Sequence, residues 1–290
     1  MSEVAGASGV TQQDGRIVLE DAQVLELGEL PELISTEDRA FLLAQKQGAS
    51  RFHKNISYRP ASGAIRGLAD GQGQERMREV MARYSQRATA LLARIAPSYG
   101  AAWSLDYASF RPIEEDGRNL PLLRRNDLLH VDAFPTRPTQ GGRILRFFTN
   151  ISPDQPRVWK TGPPFPELAR HWAMTAGLSD QVALGGHVRD AANRLWHVLG
   201  GARRTPYDRF MLRFHDYLKT DAAFQAGCSK RDWSFAPGTS WAVFTDAVPH
   251  AVFSGCYALE QTVIVPVAAL RQPATAPIRI LEALLGRALA

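Results

Sequence analysis

The sequence predicts an α+β chain with a mostly β core, a sandwich or jelly-roll barrel buttressed by helices. Three patterns carry this. A long amphipathic helix lies before residue 100, two blocks of short β-rich runs cover 100–160 and 233–268, and helical periodicity fills 163–227 between them. Closely spaced strands broken by Pro-Gly, Val-Pro and Ser-Gly turns are the mark of a closed antiparallel architecture. The chain therefore reads as a disordered N-terminus over 1–15 and a single domain over 16–290. Within that domain, a helical N-terminal part (16–98) and a helical insertion (163–227) flank the β core, and a C-terminal tail covers 269–290.

Each element has a local signal. Ser35, followed three residues on by Asp38, is a capping signal for a helix in "STEDRAFLLAQ". Residues 73–95 place Met77, Val80, Met81, Tyr84, Ala88, Leu91, Leu92 and Ile95 at helical spacing, and Pro97 ends the run. The period then becomes two: Trp103, Leu105, Tyr107 and Ser109 alternate as in a half-buried strand. A charged loop over 114–126 leads into "DLLHVDAF", and "RILRFFTNI" at 143–151 is a further strand. The segments "FPELARHWAMTAG", "SDQVALGGHVRDAANRLWHVL" and "PYDRFMLRFHDYL" are helical, before strands return in "WSFAPGTSWAVFTDAVPHAVFSGCYALEQTVIVPV".

Composition narrows the setting. Apolar residues make up 45% and charged residues 22% of 290 positions, as in an ordinary globular protein. No apolar run reaches the roughly 18 residues of a spanning helix. The N-terminus has neither the basic nor the apolar region of a secretory signal, so a cytoplasmic chain is expected. Cys228 and Cys256 lack metal-like spacing and are expected as two thiols. The net charge of +5 points to an anionic partner, but no basic run interleaved with aromatics marks a nucleic-acid groove.

The chemistry gathers in the β blocks. His130 and Asp132 are two apart and so share one face of their strand. His250 opens the strand that follows the turn after "WAVFTDAVP". Singly, each histidine also suits a core or turn position. If the blocks close into one barrel, the three converge as a 2-His-1-carboxylate triad, which suits ferrous iron and leaves coordination positions open. His53, His171, His187, His197 and His215 have no partner at ligand spacing, and the pair His215–Asp216 reads as surface.

"HVDAFPTRPTQGGRILRFFTNI" and "FAPGTSWAVFTDAVPHAVFSGCYALEQTVIVP" resemble the iron(II)/2-oxoglutarate-dependent oxygenases, and more closely the 3-deoxy-D-manno-oct-2-ulosonic acid (Kdo) 3-hydroxylases of lipopolysaccharide assembly. "RFHKNISYRP" at 51–60 matches more loosely. The resemblance implies a double-stranded β-helix (jelly-roll, cupin-like), with Fe(II) on His130, Asp132 and His250, and with 2-oxoglutarate and dioxygen as cosubstrates. Many members hold the distal carboxylate of 2-oxoglutarate with an arginine some ten residues beyond the second histidine. Here Gln261 stands near that place and cannot form a charge-assisted bidentate pair. Arg143 and Arg146, three apart on one strand, face opposite sides. Arg146, within the apolar run, is the expected anchor; Arg143 is the alternative, though it also suits a solvated strand edge, and the Gln261 amide is a further candidate contact to the distal carboxylate.

The resemblance further implies hydroxylation at carbon 3 of Kdo on a lipid A precursor, an anionic glycolipid. Arg59, Arg66, Arg118, Arg124, Arg125, Arg137, Arg157 and Lys160 are then expected in loops around the mouth, with peripheral contact to the inner face of the cytoplasmic membrane. The alternatives are a hydroxylase of protein or nucleic acid and a non-catalytic β-barrel sugar-binding module. Trp103, Tyr107 and Trp159 are candidate substrate contacts.

Overall fold

The computed structural model describes residues 12–48, 55–69, 73–180 and 203–290. Among them, ten strands form two antiparallel sheets. The larger contains β1 (Leu25–Glu29), β2 (Ile56–Arg59), β3 (Ala64–Arg66), β4 (Ser104–Arg111), β5 (Arg143–Asn150), β8 (Thr239–Phe244) and β10 (Ala258–Val265), in the order β1-β8-β5-β10-β4-β2-β3. The smaller contains β6 (Arg157–Thr161), β7 (Arg231–Phe235) and β9 (His250–Ser254), in the order β7-β6-β9. The helices are α1 (Gln12–Glu20), α2 (Thr36–Leu43), α3 (Gln74–Ile95), α4 (Pro97–Gly100), α5 (Phe165–Trp172), α6 (Pro206–Thr220), α7 (Ala222–Gly227) and α8 (Pro277–Leu285).

Register at β5 decides what reaches the interior. Arg146 pairs with Thr262 of β10 and Val243 of β8, and Phe148 pairs with Glu260 and Trp241. Paired residues share a face of the sheet. Arg146, Phe148, Trp241, Val243, Glu260 and Thr262 therefore face the small sheet. There Phe148, Trp241 and Val243 pack with Trp159, Phe235 and Val252. The opposite face, with Leu145, Phe147, Phe244 and Val263, packs on a helical layer that includes the Met77, Val80, Met81, Tyr84, Ala88 and Leu92 stripe of α3. The jelly-roll expectation thus takes the form of two facing antiparallel sheets.

Several expectations change. The N-terminal part is not only helical: it supplies β1, β2 and β3 to the large sheet. Helix α1 begins at Gln12, inside the lead-in expected to be disordered, while residues 1–11 lie outside the described residues. The alternation of β4 breaks at a bulge opposite Thr262, because Gln261 pairs with Ala108 but Val263 pairs with Leu105. The extra residue puts Leu105 on the side opposite Ser109, and Leu105 is exposed. Of the insertion, α5, α6 and α7 are present and also preceded by β6. Of the helix expected over 179–199, residues 181–199 fall outside the described residues. The tail carries α8, with Ile278 and Leu281 buried.

Caps and turns fix the connections between elements. Ser35 Oγ accepts from Asp38 N at 3.1 Å, as the sequence signal required. Thr205 and Asp208 form a capping box at α6. The same Asp208 carboxylate accepts from the backbone N–H groups of Thr139 (2.9 Å) and Gln140 (3.0 Å), fixing the loop between the His-x-Asp segment and β5. Gly141 in that loop has φ +94°, and a Cβ there would meet Ile278 at 2.6 Å, so both backbone and space call for glycine.

Candidate metal centre and cosubstrate pocket

The His-x-Asp segment was expected as a strand, but it is an extended loop joined to the sheet by a single bridge. His130 N donates to His250 O (3.2 Å) and His250 N to His130 O (2.9 Å), while Asp132 N donates to Thr245 O (2.8 Å). These bonds stitch the segment to the turn between β8 and β9. They bring the side chains of His130, Asp132 and His250 together at the end of the small sheet.

The three ligand atoms lie within 4.8 Å of one another, and all three residues are buried. His130 Nε2 is 4.0 Å from Asp132 Oδ1, and His250 Nε2 is 3.9 Å from Asp132 Oδ2. Each imidazole donates through Nδ1 to a backbone carbonyl two residues back, His130 to Leu128 at 2.7 Å and His250 to Val248 at 3.0 Å. That bond fixes the tautomer and presents Nε2, with its lone pair, towards Asp132. Trp159 stacks on His250 with 5.4 Å between ring centroids.

Electrostatics keep the donor set ready for a cation. Burial, reinforced by the neighbouring His250, holds His130 well below the usual histidine range, so the ring is neutral and can coordinate. Burial also lowers His250 despite the opposing Asp132. Burial alone would raise Asp132, but Arg146 and His250 outweigh it and keep the carboxylate ionised. Asp132 Oδ2 is buried and accepts no hydrogen bond. A buried carboxylate oxygen that accepts no hydrogen bond, in a cluster with two imidazole Nε2 atoms, fits a divalent cation.

The triad opens onto a cavity of about 230 Å³, also lined by Arg111, Arg146, Arg157, Trp159, His215 and Lys219. Arg146 Nε lies 3.1 Å from Asp132 Oδ2, and its Nη1 lies 3.2 Å from Glu260 Oε1. Glu260 is shared with Arg111, whose Nε donates to Oε2 at 3.0 Å. Burial opposes ionisation of Glu260, but Arg111 and Arg146 bring it down to about 2. With Asp132 committed to a metal, the two guanidiniums would face the single carboxylate of Glu260. The surplus positive charge suits an incoming dicarboxylate.

Of the expected site residues, the structure brings His130, Asp132, His250 and Arg146 together. Gln261 is corrected: it lies on the other face of β10, fully buried, and donates to Asp106 O (3.2 Å) and Thr262 O (2.7 Å). Alternation puts Glu260 and Thr262, not Gln261, towards the cavity. Arg143 is corrected as well. Its place opposite Arg146 stands, but that face is sealed by the helical layer. Arg143 is fully buried, pairs with Asp246 at 2.8 Å and lies over the Phe244 ring.

His215, expected at the surface, lines the cavity: its Nδ1 is 2.8 Å from Val131 O and its ring 4.8 Å from that of His130. His171 bonds Glu167 O on an exposed helix face, and His53, His187 and His197 lie outside the described residues. Arg59, Arg66, Arg157 and Lys160 are strand residues rather than loop residues. Arg157 is buried against Glu115 and Gly255 O. Trp159 lines the cavity and Trp103 does not. Tyr107 packs under Arg137 and Arg59. Both cysteines are free thiols.

Sequence reasoning missed Arg111, Glu260 and Lys219. A usable signal was strand parity: Glu260 and Thr262 alternate with the apolar Leu259 and Val263. His215 and Lys219 are four apart on α6, hence on one helix face.

The family model described as 3-deoxy-D-manno-oct-2-ulosonic acid (Kdo) hydroxylase matches residues 7–288. No curated protein sequence matches the chain. Among solved structures, the Kdo hydroxylase KdoO, a non-heme Fe(II) alphaketoglutarate dependent dioxygenase in complex with alphaketoglutarate and Fe(III), is 32% identical with a TM-score of 0.81. That alignment covers 100% of this chain and 94% of the other. The cobalt(II) complex of KdoO is 33% identical, with a TM-score of 0.82 over 99% of this chain and 93% of that one. Its complex with succinate and Fe(III) is 32% identical, with a TM-score of 0.80 over 99% and 93%. With a matching family model and these neighbours over nearly its whole length, the chain belongs to the Kdo hydroxylase family.

Proposed function

We propose that this chain is an Fe(II)/2-oxoglutarate-dependent dioxygenase that hydroxylates carbon 3 of Kdo on a lipid A precursor, through one oxygenase domain spanning 16–290. The observation that carries the reading is the buried His130–Asp132–His250 cluster beside two arginines, in a chain aligned end to end with KdoO. Iron(II) bound there, with 2-oxoglutarate and dioxygen, supplies oxidative decarboxylation to succinate and carbon dioxide and insertion of one oxygen into a C–H bond.

The chain's own residues do the rest. His130 Nε2, His250 Nε2 and the Asp132 carboxylate would hold the metal. Arg146 and Arg111 on the sheet wall take the distal carboxylate of 2-oxoglutarate, with Glu260 orienting both guanidiniums. Phe148 and Trp159 shield the cavity from bulk water, and the sugar is held with its carbon 3 facing the metal. No observation favours a protein or nucleic-acid acceptor or a non-catalytic module.

The same reading includes peripheral contact with an anionic membrane surface. No helix among the described residues is long and apolar enough to cross a membrane. The turn carrying Leu122 and Leu123, both exposed, adjoins Arg124 and Arg125, and the Leu123 carbonyl accepts from the cavity residue Lys219. Apolar tips beside basic residues at a pocket rim suit a headgroup layer.

The test is mass spectrometry of a Kdo–lipid A fraction after incubation with enzyme, Fe(II), 2-oxoglutarate and oxygen. The reading requires a gain of one oxygen on Kdo with matching succinate. Succinate formed with some other acceptor and an unmodified Kdo fraction would sink it.

A further inference from the structure

The cations of the cavity differ in how their charge is met. Arg146 has Asp132 and Glu260, Arg111 has Glu260, and Arg157 has Glu115 at 3.6 Å. Lys219 is only 3% exposed, and its ammonium donates to a backbone carbonyl, Leu123 O, at 3.0 Å. Among the described residues, no carboxylate lies within ion-pair distance of it. An ammonium has three donors and is costly to bury without an anion. Burial brings Lys219 down to about 8, with Asp132, Asp216 and Asp127 opposing, so it stays mostly charged at neutral pH.

Position says what the charge awaits. Lys219 lies one turn beyond His215 on α6, and both residues line the cavity, where the His215 ring meets that of His130. The sheet wall holds Arg111 and Arg146, and the helix wall holds Lys219. The metal and the sheet-wall arginines between them match both carboxylates of 2-oxoglutarate, which leaves Lys219 for a third anionic group.

Resting on the function proposed above, we propose that Lys219 receives the C1 carboxylate of the Kdo acceptor and so sets both substrate choice and the carbon attacked. In a 3-deoxy-oct-2-ulosonic acid, carbons 1 and 3 are both bonded to carbon 2. A carboxylate pinned on the helix wall therefore holds carbon 3 a fixed two bonds away, beside the metal ligands.

The experiment compares acceptors bearing the free C1 acid and its methyl ester, using wild type, Lys219→Met and Lys219→Arg. Wild type should prefer the acid over the ester by about ten- to a hundredfold in kcat/KM. Lys219→Met should lose that preference through acceptor KM, and Lys219→Arg should keep most of it. Anaerobic binding of 2-oxoglutarate to the iron-loaded protein should be unchanged in both variants. A wild-type enzyme indifferent to esterification overturns the proposal whether or not the variants fold. So does a Lys219→Met enzyme that keeps the preference, or one whose loss is in 2-oxoglutarate affinity. If neither acceptor is hydroxylated by wild type while succinate forms with another, it is the underlying function that fails.

Discussion

Arg143 and Arg146 stand three residues apart on one strand. Arg143 is fully buried and the Arg146 side chain is 12% exposed, and each faces a carboxylate. Arg143 Nε meets Asp246 at 2.8 Å under the helical layer, with Phe244 against the guanidinium and only a very small cavity alongside. Arg146 meets Asp132 and Glu260 at 3.1 and 3.2 Å on the inter-sheet face, where a cavity of about 230 Å³ opens. The first pair is closed on itself, so its worth is structural. In the second, Asp132 is placed where a metal could take it, and the guanidinium is open to a ligand in the cavity. The small exposure of Arg146 does not by itself make a site. The difference lies in whether convergent polar groups leave room for something else.

Removing the metal should separate the two faces most sharply. A chelator should abolish succinate release entirely while the melting transition stays cooperative, since the metal is catalytic and the aromatic and aliphatic core stands without it. Restoring Fe(II) should restore turnover, and a loss of folded structure on chelation would make the site structural instead. Arg143→Met strands Asp246 in the core and should cost about 3–5 kcal/mol of stability, read from denaturant unfolding. The KM for 2-oxoglutarate of the surviving folded protein should not move. Arg146→Ala should do the reverse. It should raise that KM by at least about thirtyfold, in line with about 2–5 kcal/mol for a buried charged partner, with iron stoichiometry kept.

Gln261→Ala sharpens the contrast further. It should lose about 1 kcal/mol of stability from its bonds to Asp106 O and Thr262 O, and change the KM for 2-oxoglutarate less than twofold. The smallest effect is in acid. Glu260 is lowered from 4.5 to about 2, so its ionisation stabilises the fold above pH 4.5, and that stability is lost as pH falls through about 2. The melting temperature of Glu260→Gln should therefore fall less steeply than that of wild type between pH 4.5 and 2.

The convergence of His130, Asp132 and His250 was legible because its signal is local. A pair two residues apart shares a face, and Pro249 marks the turn that returns His250 beside it. Arg146 was legible from period-two alternation within an apolar run. Gln261 was misjudged because distance along the chain from His250 was counted, whereas parity on β10 decides which face a residue occupies. Arg143 was misjudged because the sequence does not show that helices cover the second face of β5. Arg111 and Glu260 meet across strands far apart in sequence, a pairing that only register supplies. Lys219 was hidden by reading His215 with its neighbour Asp216, which points elsewhere, rather than with the residue one turn on. In the fold, the bulge in β4 reverses an alternation that looked regular, and the β1–β3 strands were too short to stand out from the helices around them.

The proposed function requires His130, Asp132 and His250 to hold one ferrous ion between the two sheets. Anaerobic titration of Fe(II) into the purified protein and its three alanine variants tests this most directly, with bound metal read by elemental analysis after gel filtration. Wild type should retain one equivalent, and His130→Ala, Asp132→Ala and His250→Ala, each still folded, should retain close to none. Full retention by any one variant, or tight binding of a second equivalent in wild type, would contradict it.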